Sequence, residues 1–271
     1  MNRYKLVRRF WQEKIHVLFI LAIIGFSFLY FYLYRLKNQE LIYVSVMLVD
    51  QKKASNVVPN FIAEAINKND TEISLFTGKL VEVIDKEEYE AGLSGKNVFL
   101  LLMVKAEKDK TKSYLYKNRP LLVGGVIGMK LNKTQVDGIV TYMGTNPPSY
   151  KENKLRVRLK AKELDSWLVE NIKIGSKIQG GKGKIIAEVI DKKLFLTNPV
   201  IVKYESGGNQ FVLRSDPDKR DCELTVDILT VRIDDYDYYA RTQKVKIGES
   251  LYLPFKEASF TGTVIFIDWL N

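Results

Sequence analysis

Few side chains in this 271-residue chain are of types that do chemistry, and their scarcity limits what that chemistry can be. There is one histidine, His16, and one cysteine, Cys222. A Ser-His-Asp or Cys-His relay needs a base beside its nucleophile, and a zinc site needs several His or Cys ligands, so neither is expected with His16 inside an apolar run. Cys222 lies in Asp221-Cys222-Glu223-Leu224-Thr225-Val226, which reads as the start of a strand, and a lone thiol there is expected to be a small buried apolar residue. Carboxylates cluster twice, at Asp216, Asp218 and Asp221 and at Asp234, Asp235 and Asp237. The first cluster has part of the spacing of a calcium loop, but Lys219 and Arg220 interrupt it, and it has neither the bend glycine nor the closing bidentate Glu. No metal, no cofactor and no catalytic residue is assigned. The second cluster interleaves with Tyr236, Tyr238 and Tyr239, an acidic and aromatic surface suited to protein or sugar contact, with a hairpin tip as the plainer alternative. The glycine-rich run Gly180-Gly181-Lys182-Gly183-Lys184 lacks the following Ser/Thr of a phosphate loop.

The strongest compositional signal stands at the beginning. Residues Ile15 to Tyr34 contain no acidic or fixed basic group, and about twenty such residues are what a helix needs to cross roughly 30 Å of hydrocarbon. A transmembrane helix is expected over 15–36, preceded by a basic tail at 1–14. Arg3, Lys5, Arg8, Arg9 and Lys14 precede the apolar run, against Arg35 and Lys37 after it, which places the N-terminus in the cytoplasm and the rest outside. The run ends in tyrosines rather than the small residues of a cleavage site, so an uncleaved single-pass anchor in the cell membrane is expected. The formal charge of +10 is concentrated here: residues 1–37 hold seven of the 42 Lys/Arg and one of the 32 acidic residues, leaving 35 against 31 beyond. That near balance leaves no nucleic-acid footprint.

What must position any site is the remaining sequence, and it repeats. Tyr114 to Gly144 lies without gaps over Tyr238 to Asp268, matching Lys117 with Arg241, Gly124 with Gly248, Gly138 with Gly262 and Val140 with Val264. Upstream, Gly78 to Lys86 resembles Gly183 to Lys192 with one residue of slippage. The runs 97–105 and 222–232 lie between these blocks. The pattern predicts a mainly β protein with minor α: two tandem barrel-like or sandwich-like units over 41–145 and 154–271, each with a short helix, joined by a linker at 146–153. Alternation in Val44 to Val49 and Leu155 to Ala161 marks strands. Helical spacing of Val58, Phe61, Ile62, Ala65 and Ile66, and of Leu164, Trp167, Leu168 and Ile172, marks core-facing helices. Gly124 and Gly248 are expected at turns that need positive φ, Gly175 at a turn, and Gly138 and Gly262 at a bulge or tight bend just before a strand.

Val169-Glu-Asn-Ile-Lys-Ile-Gly-Ser-Lys-Ile, followed by Gly183-Lys-Ile-Ile-Ala-Glu-Val-Ile-Asp191, resembles an uncharacterised bacterial family known as domain of unknown function 4330. The stretches from Lys244 to Leu251 and from Phe260 to Ile265 resemble that family's C-terminal hairpin. The resemblance implies a single N-terminal helix before a β-rich domain and brings no catalytic residues. Ser176 stands where the family has an acidic residue, and the first unit is expected to lack that turn.

The expected role is a non-enzymatic, membrane-anchored accessory or scaffold protein of the bacterial cell envelope, outside the membrane, with an envelope complex or itself as partner. Such a complex would export polysaccharide or another polymer. The alternatives are a tethered module that binds carbohydrate or lipid in a barrel or inter-unit cleft, and a carboxylate hydrolase using Asp216, Asp218 or Asp221.

Overall fold

A computed structural model describes residues 19–27, 30, 39–50, 55–74, 78–92, 95–197, 200–203, 210–213, 216 and 218–270. The basic tail, His16 and most of the expected membrane segment lie outside them. Within that segment residues 19–27 are helical, and Phe19, Leu21, Ile24 and Phe26 are exposed. Among the described residues no helix is long and apolar enough to cross a membrane.

The remaining chain is mainly β and forms two curled antiparallel sheets, each a half-barrel. The first unit contains β1 (Gln39–Val49), β2 (Val58–Pro59), α1 (Asn60–Ala65), β3 (Thr71–Ser74), β4 (Gly78–Glu90) and β5 (Gly95–Lys108). It continues with β6 (Tyr114–Tyr116), β7 (Arg119–Pro120), β8 (Val126–Lys130) and β9 (Gln135–Gly144). The second contains β10 (Lys151–Asp165), α2 (Ser166–Asn171), β11 (Lys177–Gln179), β12 (Ile185–Leu196) and the hairpin β13 (Val200–Lys203) and β14 (Gln210–Leu213). It continues with β15 (Lys219–Ile233), β16 (Tyr236–Tyr239), β17 (Gln243–Lys244), β18 (Ser250–Pro254) and β19 (Ser259–Leu270). The sheet orders are β3-β4-β5-β1-β9-β8 and β11-β12-β15-β10-β19-β18, one topology drawn twice. β10 already begins at Lys151, inside the segment expected as linker.

Each order is a palindrome about its central pair, β5-β1 or β15-β10, so each unit is built of two similar halves. In every half a strand leads to a turn, a hairpin follows, and the hairpin's second strand pairs across with the long strand of the other half. The turn is the same in all four. A residue of positive φ donates its N–H to a valine carbonyl, and the valine N–H returns to the carbonyl of the next residue. The pairs are Asn69-Asp70 with Val83, Gly124-Gly125 with Val140, Gly175-Ser176 with Val189, and Gly248-Glu249 with Val264, all at 2.8–3.0 Å. One residue past each valine, the register slips by one against the long strand. Such a bulge bends a strand and increases its twist, which curls the sheet. The turn expected to be missing from the first unit is therefore present. Asn69, at φ 70°, replaces glycine, as Asn tolerates the left-handed region better than other side chains, and Asp70 supplies the acidic residue that Ser176 lacks.

Gly138 and Gly262 lie inside β9 and β19, three residues before those bulges, and their φ is not positive. The reason for glycine there is close approach. A Cβ at Gly138 would stand 3.1 Å from Val46 Cβ, and one at Gly262 would stand 3.1 Å from Leu159 Cβ. The expected match of Lys117 with Arg241 is off by one residue. Buried Tyr116 and Tyr239 precede the left-handed pairs Lys117-Asn118 and Ala240-Arg241, and the second unit has one more loop residue before the register recovers at Leu121 and Val245.

The cores follow from strand alternation. Ile42, Val44, Val46 and Leu48 point inward from β1, as Leu155, Val157 and Leu159 do from β10, against Leu100, Leu102 and Leu224, Val226 on the neighbouring strands. Cys222 packs in the second core at the register position of Val98. The helices fit the core-facing expectation only in part, because Ile66 and Ile172 are buried whereas Phe61 and Trp167, one turn earlier, are exposed. Six residues is too short for a stable isolated helix, and a lysine on the neighbouring strand holds each end. Lys86 Nζ donates to Ala63 O at 3.1 Å, and Lys192 Nζ to Val169 O at 2.9 Å and Ile172 O at 2.6 Å.

Gly248, at φ 91°, has open space where a Cβ would stand, so substitution there meets backbone strain alone. Gly248→Val is expected to destabilise the second unit by about 1–3 kcal/mol. Gly124→Val should do the same to the first unit, both read from the denaturant midpoint.

Candidate functional site

The three candidate tyrosines sit on one strand, and its pleat separates them. On β16, Tyr236 and Tyr238 point one way, while Asp237 and Tyr239 are buried on the other. Tyr236 is exposed beneath Lys244 Nζ, which lies 3.1 Å from the ring centroid in a cation–π contact. Tyr239 is a core residue whose hydroxyl has no hydrogen-bond partner among the described residues, and burial raises its pKa well above the ordinary tyrosine value. Asp237 accepts from Asn153 Nδ2 at 2.7 Å and Thr230 Oγ1 at 3.2 Å, as a structural carboxylate does. Asp221 accepts from the Glu163 N–H at 3.0 Å, and Asp216 from the Asp218 N–H at 2.9 Å. Among the described residues no three His, Cys, Asp or Glu side chains gather as a metal site would need. Burial pushes the Cys222 thiol up to about 11, so it is not a thiolate at neutral pH.

Two places bring polar groups together, and neither was legible as a motif. The first is the junction between the units. Arg241, at the tip of the β16–β17 loop, inserts its guanidinium between the rings of Phe99 and Tyr150, at 4.4 and 4.6 Å from their centroids, and bonds Glu87 Oε2 through Nη1 at 3.1 Å. Its side chain is only 8 % exposed. A guanidinium is planar and weakly hydrated, which suits it to lie between two rings. Beside it, the backbone of the 3₁₀ turn Gly181–Gly183 presses on β4 so closely that a Cβ at Gly181 would stand 2.8 Å from Glu88 N. Glu87, Tyr89, Glu152, Gly180 and Lys184 border a cavity of about 210 Å³ there. Burial first, and Glu87 second, hold the Tyr89 hydroxyl protonated.

The second place is a groove of about 540 Å³ in the first unit, between β7 and β8. Its base is Glu72, a carboxylate at a core-facing position of β3 with only 9 % of its side chain exposed. Tyr116 donates its hydroxyl to Glu72 Oε2, Lys117 Nζ lies 2.5 Å from Oε1, and the Lys130 N–H donates to Oε2 at 3.3 Å. Burial, followed by the bond to Glu72, raises the Tyr116 hydroxyl above its ordinary value. The register counterpart of Glu72 in the second unit is Ile178, which is why the counterpart of Tyr116, Tyr239, has an unmatched hydroxyl. A carboxylate replacing an apolar residue between aligned repeats is the sequence signal that would have found this groove.

Comparison with protein-family models, with curated proteins and with solved structures finds no match. What this arrangement can do chemically therefore rests on its own groups. Each place pairs a tyrosine hydroxyl with a glutamate carboxylate, Tyr89 with Glu87 at 3.3 Å and Tyr116 with Glu72, and burial holds both hydroxyls protonated. The junction fastens two units together, and the groove presents backbone and charged groups at a sheet edge.

Replacing Arg241 with Ala removes two ring contacts and an ion pair, each worth about 0.5–2 kcal/mol at a partly buried site. In calorimetry the two units are expected to unfold in separate transitions in this variant, and proteolysis between Gly144 and Lys151 should accelerate. A separate effect is expected in acid. Asp227 accepts from Arg156 Nε at 2.7 Å and Nη2 at 3.1 Å across the β10–β15 ladder, and these bonds hold its carboxyl below the ordinary range. Its contribution is complete above the unfolded value near about pH 3.9 and is lost as pH falls through the lower folded value. Acid unfolding of Asp227→Asn should show a shallower dependence below about pH 4 than the native chain.

Proposed function

We propose that this chain is a non-enzymatic, single-pass membrane-anchored scaffold of the bacterial cell envelope, an accessory subunit of a complex that exports polysaccharide or another polymer. Its N-terminus would be cytoplasmic, and its two β-units would form one arm outside. The observation that carries this role is the Arg241 junction, which joins two copies of one fold into a single body. The apolar composition of residues 15–34 and the exposed helical stretch at 19–27 support the anchor. β1 starts at Gln39, directly after that segment, opposite Glu107 near the end of β5. Phe99 and Asn97, which meet the second unit through Arg241 and Thr242, lie towards the other end of β5, roughly 25 Å away along the strand. These contacts with the second unit therefore lie away from the end of β1 at which an anchor would join. The resemblance to domain of unknown function 4330 is consistent with the same anchor-then-β organisation. Each half-barrel encloses a core of mostly aliphatic side chains, joined by Tyr116 in the first unit and by Tyr239, Phe255 and Phe260 in the second.

Orientation is testable because the native cysteine is buried. In intact cells, an impermeant maleimide should label Glu249→Cys directly and Asn2→Cys only after permeabilisation. The reverse pattern, or a chain recovered in the soluble fraction, would overturn the proposal. Photo-crosslinking from the exposed Trp167 position in intact membranes should recover an envelope protein or a second copy.

A further inference from the structure

The groove of the first unit has an internal control, because the second unit shows what fills the same place. In β8 the bonds Val140 N to Gly125 O and Leu131 N to Thr134 O mark odd-numbered residues as the ones bonding to β9. Val126, Gly128 and Lys130 therefore turn their backbone groups away from β9, towards the groove. Lys130 N–H goes to Glu72, and Gly128 O receives Lys117 Nζ at 3.2 Å. Gly128 N–H has no partner among the described residues. In the second unit the counterpart of Gly128 is Tyr252, and a single side chain takes both its groups. Tyr252 N–H donates to Gln243 Oε1 at 2.6 Å, and Gln243 Nε2 donates to Tyr252 O at 3.1 Å. A carboxamide has the donor and acceptor of a peptide group, so Gln243 imitates one link of an added strand.

The position of Gln243 is held in the first unit by Arg119, which is exposed and has no amide, and the groove is the space thus vacated. Arg119 and Lys130 border the groove without an ion-pair partner among the described residues; of the two acids that line it, Glu72 is paired with Lys117, which leaves Asp137. We propose that β8 is a docking edge for an extended, acidic peptide segment of a partner protein, whose carbonyl accepts from Gly128 N–H while its carboxylates meet Arg119 and Lys130. Strand addition of this kind draws affinity from main-chain bonds and selectivity from the flanking side chains. The site stands on the groove alone and does not depend on the membrane role.

The test uses the full chain, labelled with [¹⁵N]glycine in detergent micelles, and pools of N-acetylated, C-amidated hexapeptides with Asp at alternate positions. An acidic pool is expected to shift the Gly128 amide resonance saturably and to slow its solvent exchange at least tenfold. Arg119→Gln should abolish that response by supplying in cis the carboxamide that Gln243 provides, and should slow Gly128 exchange without peptide. Lys130→Glu should weaken the acidic pool about tenfold. No response to any pool would overturn the proposal, as would equal response to Lys-containing pools. Unchanged binding in Arg119→Gln, or a shift reproduced by inorganic phosphate alone, would do the same. None of these results bears on membrane topology, so failure here is distinguishable from failure of the anchor.

Discussion

Each half of each unit depends on one reciprocal pair of backbone hydrogen bonds, between a left-handed turn residue with its successor and a valine on the facing strand. The pair fixes the register of the hairpin that follows, and the bulge one residue further bends the long strand pairing out of plane. Without both, each sheet would stay open and its aliphatic face would meet water. With both, the sheet curls and the side chains of β1, β5, β10 and β15 enclose themselves. The left-handed residue makes this possible, because only there can the chain reverse and still direct two groups at one valine. Glycine meets that demand without strain in three places and asparagine at modest cost in the fourth.

The palindromic order has a further physical consequence. The second hairpin strand of each half pairs with the long strand of the other, so a half cannot bury its own apolar face. The unit is the smallest piece with a complete core, and the hydrophobic gain arrives only when β4 meets β5 and β9 meets β1. Variation is tolerated where it does not touch these pairings. The crossover from β1 to β3 carries a helix, and the crossover from β5 to β8 carries a hairpin. The two occupy corresponding places by different means, and the lysines that hold the helix ends, on β4 and β12, occur only in the halves with a helical crossover.

The duplication, the β class, the helices and the turn glycines were legible because they rest on spacing that survives divergence. Gly124 and Gly248 could be matched since everything from there to the last strand keeps its length. The fourfold character was not legible, since Asn69 hides the turn signal and the hairpins of the two halves differ in length by two residues. Gly138 and Gly262 were found for a different reason from the one that operates: contact with Val46 and Leu159 can be known only once the strand neighbours are known. The functional groups were harder still. Arg241 stood in the sequence only as a match for Lys117, and its meaning comes from Phe99 and Tyr150, distant in sequence. Tyr236, Tyr238 and Tyr239 looked like a surface because adjacency in sequence suggests adjacency in space, which a strand's alternation denies.

Cys222 has been treated only as filler in the place that Val98 takes in the other unit. As the sole thiol of the chain, shielded in one of two similar cores, it also makes the molecule its own clock. Any reagent that modifies it must wait for the second unit to open, whatever the first unit does. The rate of thiol loss therefore times the breathing of one repeat separately from its neighbour, without a label being added, and distinguishes two cores that optical probes would average.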